Sequence, residues 1–218
     1  MIDYKILFKY TTRSRPDWFV RGMQSIIENV NSSNYVILVT LDDDDAETIA
    51  VSKRYLGNPN VKIVAGQSTD KINAINRDME QVEDWDILVN FSDDMIFTQL
   101  HFDDYIRMCF DDLGECLHFP DGNTTAIITM SVLGREFYDR FGYIYNPEYL
   151  SFFCDNEQTE AAKLLGVYKF VDKSIFLHLH PAYAKATSDA LYMNCNKDWA
   201  HDEEVYNRRK QYNFYLGL

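Results

Sequence analysis

Through its first 97 residues the chain alternates short apolar runs with stretches whose apolar side chains recur at helical spacing, and few folds accept that pattern. Residues 5–10 (KILFKY), 35–41 (YVILVTL), 61–65 (VKIVA) and 87–89 (ILV) read as strands. Their apolar residues run together, as expected of strands covered on both faces. Between them, Phe19, Met23, Ile26, Ile27 and Val30 mark one helix and Ile49, Ser52 and Leu56 a second. Ile72, Ile75, Met79 and Val82 mark a third, over 69–82. Pro16 is placed to open the first helix and Asp45 to cap the second, which should stop at Gly57 ahead of Pro59. This alternation predicts an α/β fold: a mostly parallel, Rossmann-like sheet flanked by helices, with right-handed crossovers.

The second half is less regular. The pattern predicts helices over 102–113, 135–141, 157–165 and from 198 onward, and extended segments over 116–119, 125–130, 167–171 and 174–180. An aromatic-rich stretch, 143–153, lies among them. No internal repeat, low-complexity run or linker interrupts the chain, so a single domain over 1–218 is the simplest division.

Composition narrows the function classes. The formal charge of −13 argues against a nucleic-acid partner, which calls for a basic face. An acidic protein still binds a phosphate-bearing ligand when a cation bridges the two. Four cysteines without CxxC spacing make no disulfide framework and point to a reducing compartment. No stretch reaches the length of a membrane span and the first residues lack a leader pattern, so a cytoplasmic protein is expected.

In open α/β sheets, ligands bind beyond the carboxyl ends of the strands, so the residues just after each run come first. Asp93 and Asp94 follow the fourth strand. Two carboxylates on a tight turn suit a hard divalent cation that also holds substrate phosphate; the alternative is a solvated turn. After the first strand, Arg13 and Arg15 stand beside Thr11, Thr12 and Ser14, a set that fits either a nucleotide or a plain surface loop. After the second come four aspartates, of which Asp42 is the one placed to accept from a ribose or base. Lys71, Asn73, Asn76 and Arg77 share the third helix, where two asparagines indicate a polar task or a solvent face. In an extended segment, His178 and His180 would share one side, as metal ligands or as a structural pair. Asp155-Asn156-Glu157 opens a helix among aromatics, which suits either a cap or a general base of raised pKa.

Taken together, these motifs resemble the nucleotide-sugar glycosyltransferases of the GT-A fold, in particular the inverting, family 2-like group with its short viral and phage forms. The resemblance runs from Lys5 to about Pro181. It implies that Thr11, Arg13 and Asp42 hold the nucleoside and that Lys71 and Asn76 approach the nucleotide. Ser92-Asp93-Asp94 stands in place of the DxD motif, with Asp93 toward the donor and Asp94 toward a Mn2+ or Mg2+ cofactor. His178 or His180 would add a metal ligand, and Asp155 or Glu157 the catalytic base. The first acid of a strict DxD is absent, and Asp-Asn-Glu replaces the family's Glu-Asp pair. The implied activity is metal-dependent, inverting transfer from a nucleoside-diphosphate sugar to a glycan or other hydroxyl acceptor. Residues 1–97 would form the donor half and 98–218 the acceptor and catalytic half, in the cytoplasm of a host cell if the protein is viral. The rivals are a non-catalytic nucleotide- or carbohydrate-binding protein, a metal-dependent hydrolase and a sugar-1-phosphate nucleotidyltransferase. The last should carry a Gly-rich first loop, and residues 11–16 contain no glycine.

Overall fold

The computed structural model describes residues 3–179 and 196–218, so the predicted ligand His180 lies outside the described residues. In the first half the elements are β1 (Ile6–Thr11), α1 (Pro16–Asn29), β2 (Tyr35–Asp42), α2 (Ala46–Ser52), β3 (Val61–Gly66), α3 (Lys71–Asn76), β4 (Ile87–Ser92) and β5 (Met95–Phe97). In the second they are α4 (Phe102–Cys109), β6 (Cys116–His118), β7 (Val132–Gly134), α5 (Arg135–Phe141), α6 (Cys154–Leu164), β8 (Tyr168–Phe170), β9 (Phe176–His178) and α7 (Trp199–Gln211). The central sheet has seven strands in the order β3-β2-β1-β4-β7-β6-β8, and β5 pairs with β9 beside it. Strands β3, β2, β1 and β4 are parallel, and β7 is antiparallel to both its neighbours. The predicted fold class is the one found.

Each parallel strand sends alternate side chains to two apolar layers. Ile6, Phe8 and Tyr10 of β1 join Phe19, Met23 and Ile26 of α1 on one side. Leu7, with Leu38 and Leu88, joins Ile72, Ile75 and Met79 on the other. Full burial of each such side chain contributes roughly 1.5–3 kcal/mol. The helix α1 lies close to the sheet at Gly22, where a Cβ would stand 2.1 Å from the Tyr10 hydroxyl. The carboxyl ends of β1 and its neighbours are level, with Thr11 paired to Thr40 on one side and Ser92 on the other. The order reverses at β1, so the loops after β1, β2 and β4 open onto one crevice.

Several expected elements differ. The helix predicted over 69–82 stops at Asn76. Arg77 turns extended to reach the Leu41 carbonyl at 2.5 Å and Asp78 at 2.8 Å, and Asp78 takes a left-handed φ of 69°. No strand forms over 125–130. There the Asp121 carboxylate gathers the Asn123 and Thr124 amides and the Thr129 hydroxyl, while the Ile128 amide donates to Thr159 Oγ1. The strand is instead β7, a few residues later. Helix α4 ends at Cys109, and α6 begins at Cys154, three residues before its predicted start.

Candidate active site

The loop after β1 and the turn after β4 are joined by charge. Asp93 accepts from Thr12 Oγ1 at 2.6 Å and from the Arg15 guanidinium at 2.9 Å. Burial and then the charge of Asp94 push its pKa up to about 6, against the pull of Arg15 and Thr12. Asp93 is therefore held by the protein's own groups. Asp94 accepts from the Ser92 hydroxyl through Oδ1, and its Oδ2 stands 3.3 Å from His178 Nε2. The β5–β9 pairing places Met95 opposite His178 and so brings Asp94 and His178 together across 84 positions of chain.

Asp94 and His178 fit a shared divalent cation. Carboxylate and imidazole are both suitable donors for manganese. Two neighbouring ligands, each about 2.1 Å from an octahedral ion, stand about 3 Å apart, close to the separation found. Among the described residues, no three His, Cys, Asp and Glu side chains form such a group, so the remaining ligands would be substrate oxygens and water.

At the end of β2, Asp42 accepts from Arg13 and, at 2.5 Å, from the Ser68 hydroxyl. Arg13 also donates to Asp44 at 2.8 Å, and Arg77 Nε donates to Ser68 at 3.0 Å. Asp45 caps α2 through the Thr48 amide and receives the Ser14 amide at 2.6 Å, which locks the two loops together. Thr11 Oγ1 is buried with no hydrogen-bond partner. Thr11, Arg13 and Asp42 thus gather at one end of the crevice.

The two predicted catalytic acids separate. Asp155, half-buried in the first turn of α6, follows Phe153, whose φ of 60° is unusual for a bulky residue. Burial raises the Asp155 pKa above the ordinary carboxylate value, opposed by Lys71, by the Asn156 amide and its own, and by His178. Glu157 points elsewhere. Its oxygens accept from Arg209 Nε at 2.8 Å and Nη2 at 3.0 Å, and from the Tyr149 hydroxyl at 2.7 Å, in a buried cluster binding α6 to α7. Asn76 is also occupied structurally. Its Oδ1 accepts the Ile144 and Tyr145 amides, and its Nδ2 donates to the Tyr145 carbonyl.

Asp121 faces the other imidazole nitrogen of His178, with Oδ2 3.4 Å from Nδ1. Sequence reasoning did not select it. Pro120-Asp121-Gly122-Asn123 carries only a turn signal, and nothing in its spacing points to a histidine 57 residues on. Burial lowers the His178 pKa, but the neighbouring carboxylates of Asp121 and Asp94 outweigh it and raise the value to about 9.

No protein-family profile and no curated protein matches the sequence. Solved structures share its fold. TarS of S. aureus aligns with a TM-score of 0.64 at 14% identity, covering 79% of this chain and 36% of that one. The mannosyltransferase PcManGT from Pyrobaculum calidifontis, solved with GDP-Man and Mn2+, aligns at 0.66 and 12% identity, covering 80% and 56%. Residues 1–349 of TarS with UDP-GlcNAc align at 0.67 and 12% identity, covering 86% and 60%. The chain thus spans between 36% and 60% of the length of these neighbours. The shared fold is that of GT-A-like glycosyltransferases.

Proposed function

We propose that the protein is a divalent-cation-dependent, inverting glycosyltransferase that moves a sugar from a nucleoside-diphosphate sugar to a hydroxyl acceptor. One observation carries the reading. At the carboxyl end of a parallel sheet, Asp94 stands 3.3 Å from His178, and a half-buried acid, Asp155, has its ionised form favoured by the charges of Lys71 and His178. The neighbours solved with GDP-Man and Mn2+ and with UDP-GlcNAc support the donor class and the choice of Mn2+ or Mg2+.

In this reading Thr11, Arg13 and Asp42 bind the nucleoside end, Lys71 lies along the diphosphate, and Asp94 and His178 hold the cation. The bound cation supplies Lewis acidity toward the departing diphosphate. Asp93 braces the turn through Arg15 and Thr12 and so fixes where Asp94 points. Asp155 takes the proton from the acceptor hydroxyl. The freed oxygen bonds to the anomeric carbon from the face opposite the diphosphate, and the bond to the diphosphate breaks with its electron pair. The raised pKa of Asp155 brings its basicity toward the working range. Positive charge developing on the sugar ring is favoured by the acidic cleft. Residues 1–97 form the donor half and 98–218 the acceptor half of one domain.

Calorimetric titration with nucleoside diphosphates and their sugars, with and without Mn2+ or Mg2+, tests this. Metal-dependent binding of one nucleotide is expected, weakened at least about ten-fold by Asp94→Asn. Absence of nucleotide binding under every metal condition would remove the donor site and the proposal with it.

A further inference from the structure

We propose that Asp121 is a positioning residue for the cation site, fixing the His178 ring so that Nε2 is presented beside Asp94. The inference rests on the transferase reading only in taking the cation there as the one that meets the donor.

Asp121 is buried, and its two oxygens do different things. Oδ1 accepts the Asn123 amide at 2.7 Å and the Thr124 amide at 2.8 Å, which is the work of a turn aspartate. An asparagine would do the same. Oδ2 takes the Thr129 hydroxyl at 3.1 Å and stands 3.4 Å from His178 Nδ1, an arrangement the turn does not require.

The same loop grips the histidine backbone. The His178 amide donates to the Asp121 carbonyl at 3.0 Å, and Asn123 Nδ2 donates to the His178 carbonyl at 2.7 Å. From the other side, the Leu179 amide donates to the Asp94 carbonyl at 2.7 Å. Backbone and ring are thus both held between Asp94 and the 121–124 loop. An imidazole that offers Nε2 to a cation must keep its proton on Nδ1, and a carboxylate facing Nδ1 selects that tautomer and ring orientation.

The test is a double-substitution cycle on Mn2+ affinity, measured by calorimetry on the full chain without donor. Asp121→Asn keeps an acceptor for the two turn amides, so the loop should persist, checked by thermal melting. It is expected to weaken Mn2+ binding about 10- to 100-fold. His178→Ala should weaken it as well, and Asp121→Asn should then add nothing. A long-range 1H–15N spectrum with Mg2+ bound should show the His178 proton on Nδ1 in the unsubstituted protein and lose that preference in Asp121→Asn.

Unchanged Mn2+ affinity in Asp121→Asn would overturn the proposal, as would an equal loss in the His178→Ala background. If the donor nucleotide still bound, the transferase reading would survive either result. An unsubstituted protein that bound no cation, with or without a nucleoside diphosphate present, would remove both.

Discussion

Strands β1, β2, β3 and β4 run parallel, and each pairs with a neighbour over six residues. Beyond residue 97 the described strands are three residues long, and single side chains that collect backbone amides supply much of the order. Asp202 of α7, fully buried, accepts the amides of Leu150, Ser151 and Phe152 at 2.9, 2.8 and 2.7 Å. Asp121 does the same for residues 123 and 124, and Asn76 for residues 144 and 145. The first region is specified by local pattern, and loss of one side chain is spread over a continuous ladder. The second depends on pairwise contacts between distant residues, where one substitution releases a whole loop. Asp155 lies on this second kind of scaffold, three residues after the amides that Asp202 fixes. In the proposed reading, the α/β half supplies the ledge for the donor, and the other half sets the acid against it.

The sharpest way to test that division compares the two acids in the first turn of α6. Asp155→Asn removes the proposed base without disturbing an ion pair. It should lower turnover by about 10³-fold or more, with donor affinity and melting temperature nearly unchanged. In the unsubstituted protein, turnover should rise with pH through the raised pKa of Asp155, because only the ionised acid accepts a proton. That rising limb should be absent from the residual activity of the variant. Full activity in Asp155→Asn would refute its role.

Glu157→Gln should do the opposite. Arg209 and Glu157 are buried together, and removing the carboxylate leaves the guanidinium with Glu148 as its remaining acid. The expected cost is about 2–3 kcal/mol of stability, slightly below the usual loss for breaking a buried pair because Glu148 remains. For a domain of this size that lowers the melting temperature by roughly 5–10 °C, read by calorimetry. Turnover below the transition should fall less than ten-fold. A loss of turnover as deep as that in Asp155→Asn, without a stability change, would mean that the acids had been assigned the wrong way round.

The difference between halves also explains what the sequence disclosed. The order of strands and helices through Ser92 was legible because each apolar run and each cap acts within its own segment, as Pro16 and Asp45 do. The third helix was misread because Arg77 and Asp78 answer to Leu41 and Thr40, and no helical period records that pull. The strand expected over 125–130 failed for the same reason, since its polar groups answer to Asp121 and Thr159. Asp94, Asp155 and His178 were readable as chemistry-bearing types near element ends. That Glu157 belongs to Arg209 depends on a helix some 50 residues away, and no spacing rule announces it.

One residue crosses the division. Lys9 sits in the middle of β1, fully buried on the α3 side, and donates to Thr40 Oγ1, which donates in turn to Asp78 at 2.9 Å. Burial lowers its pKa from 10.5 to about 7, with Asp78 opposing the shift. Between those values the unfolded chain binds a proton that the folded chain does not, so stability should rise with pH from about 7 to about 10.5. Below the lower value the charged amine is buried, and its cost is fully present. Lys9→Met should therefore stabilise the protein most near pH 6, and its advantage should fall by roughly 4 kcal/mol toward pH 10, where it becomes a loss. Thr40 keeps Asp78 as acceptor and Asp78 keeps Arg77, so the substitution orphans neither group. Urea unfolding of both proteins from pH 6 to 10 checks it. A gain independent of pH would mean that Lys9 stays charged in the folded protein throughout that range, and a loss at every pH would make the amine a structural tie within the parallel sheet. The second result would show that even the ladder of parallel strands depends on a polar contact its local pattern does not announce.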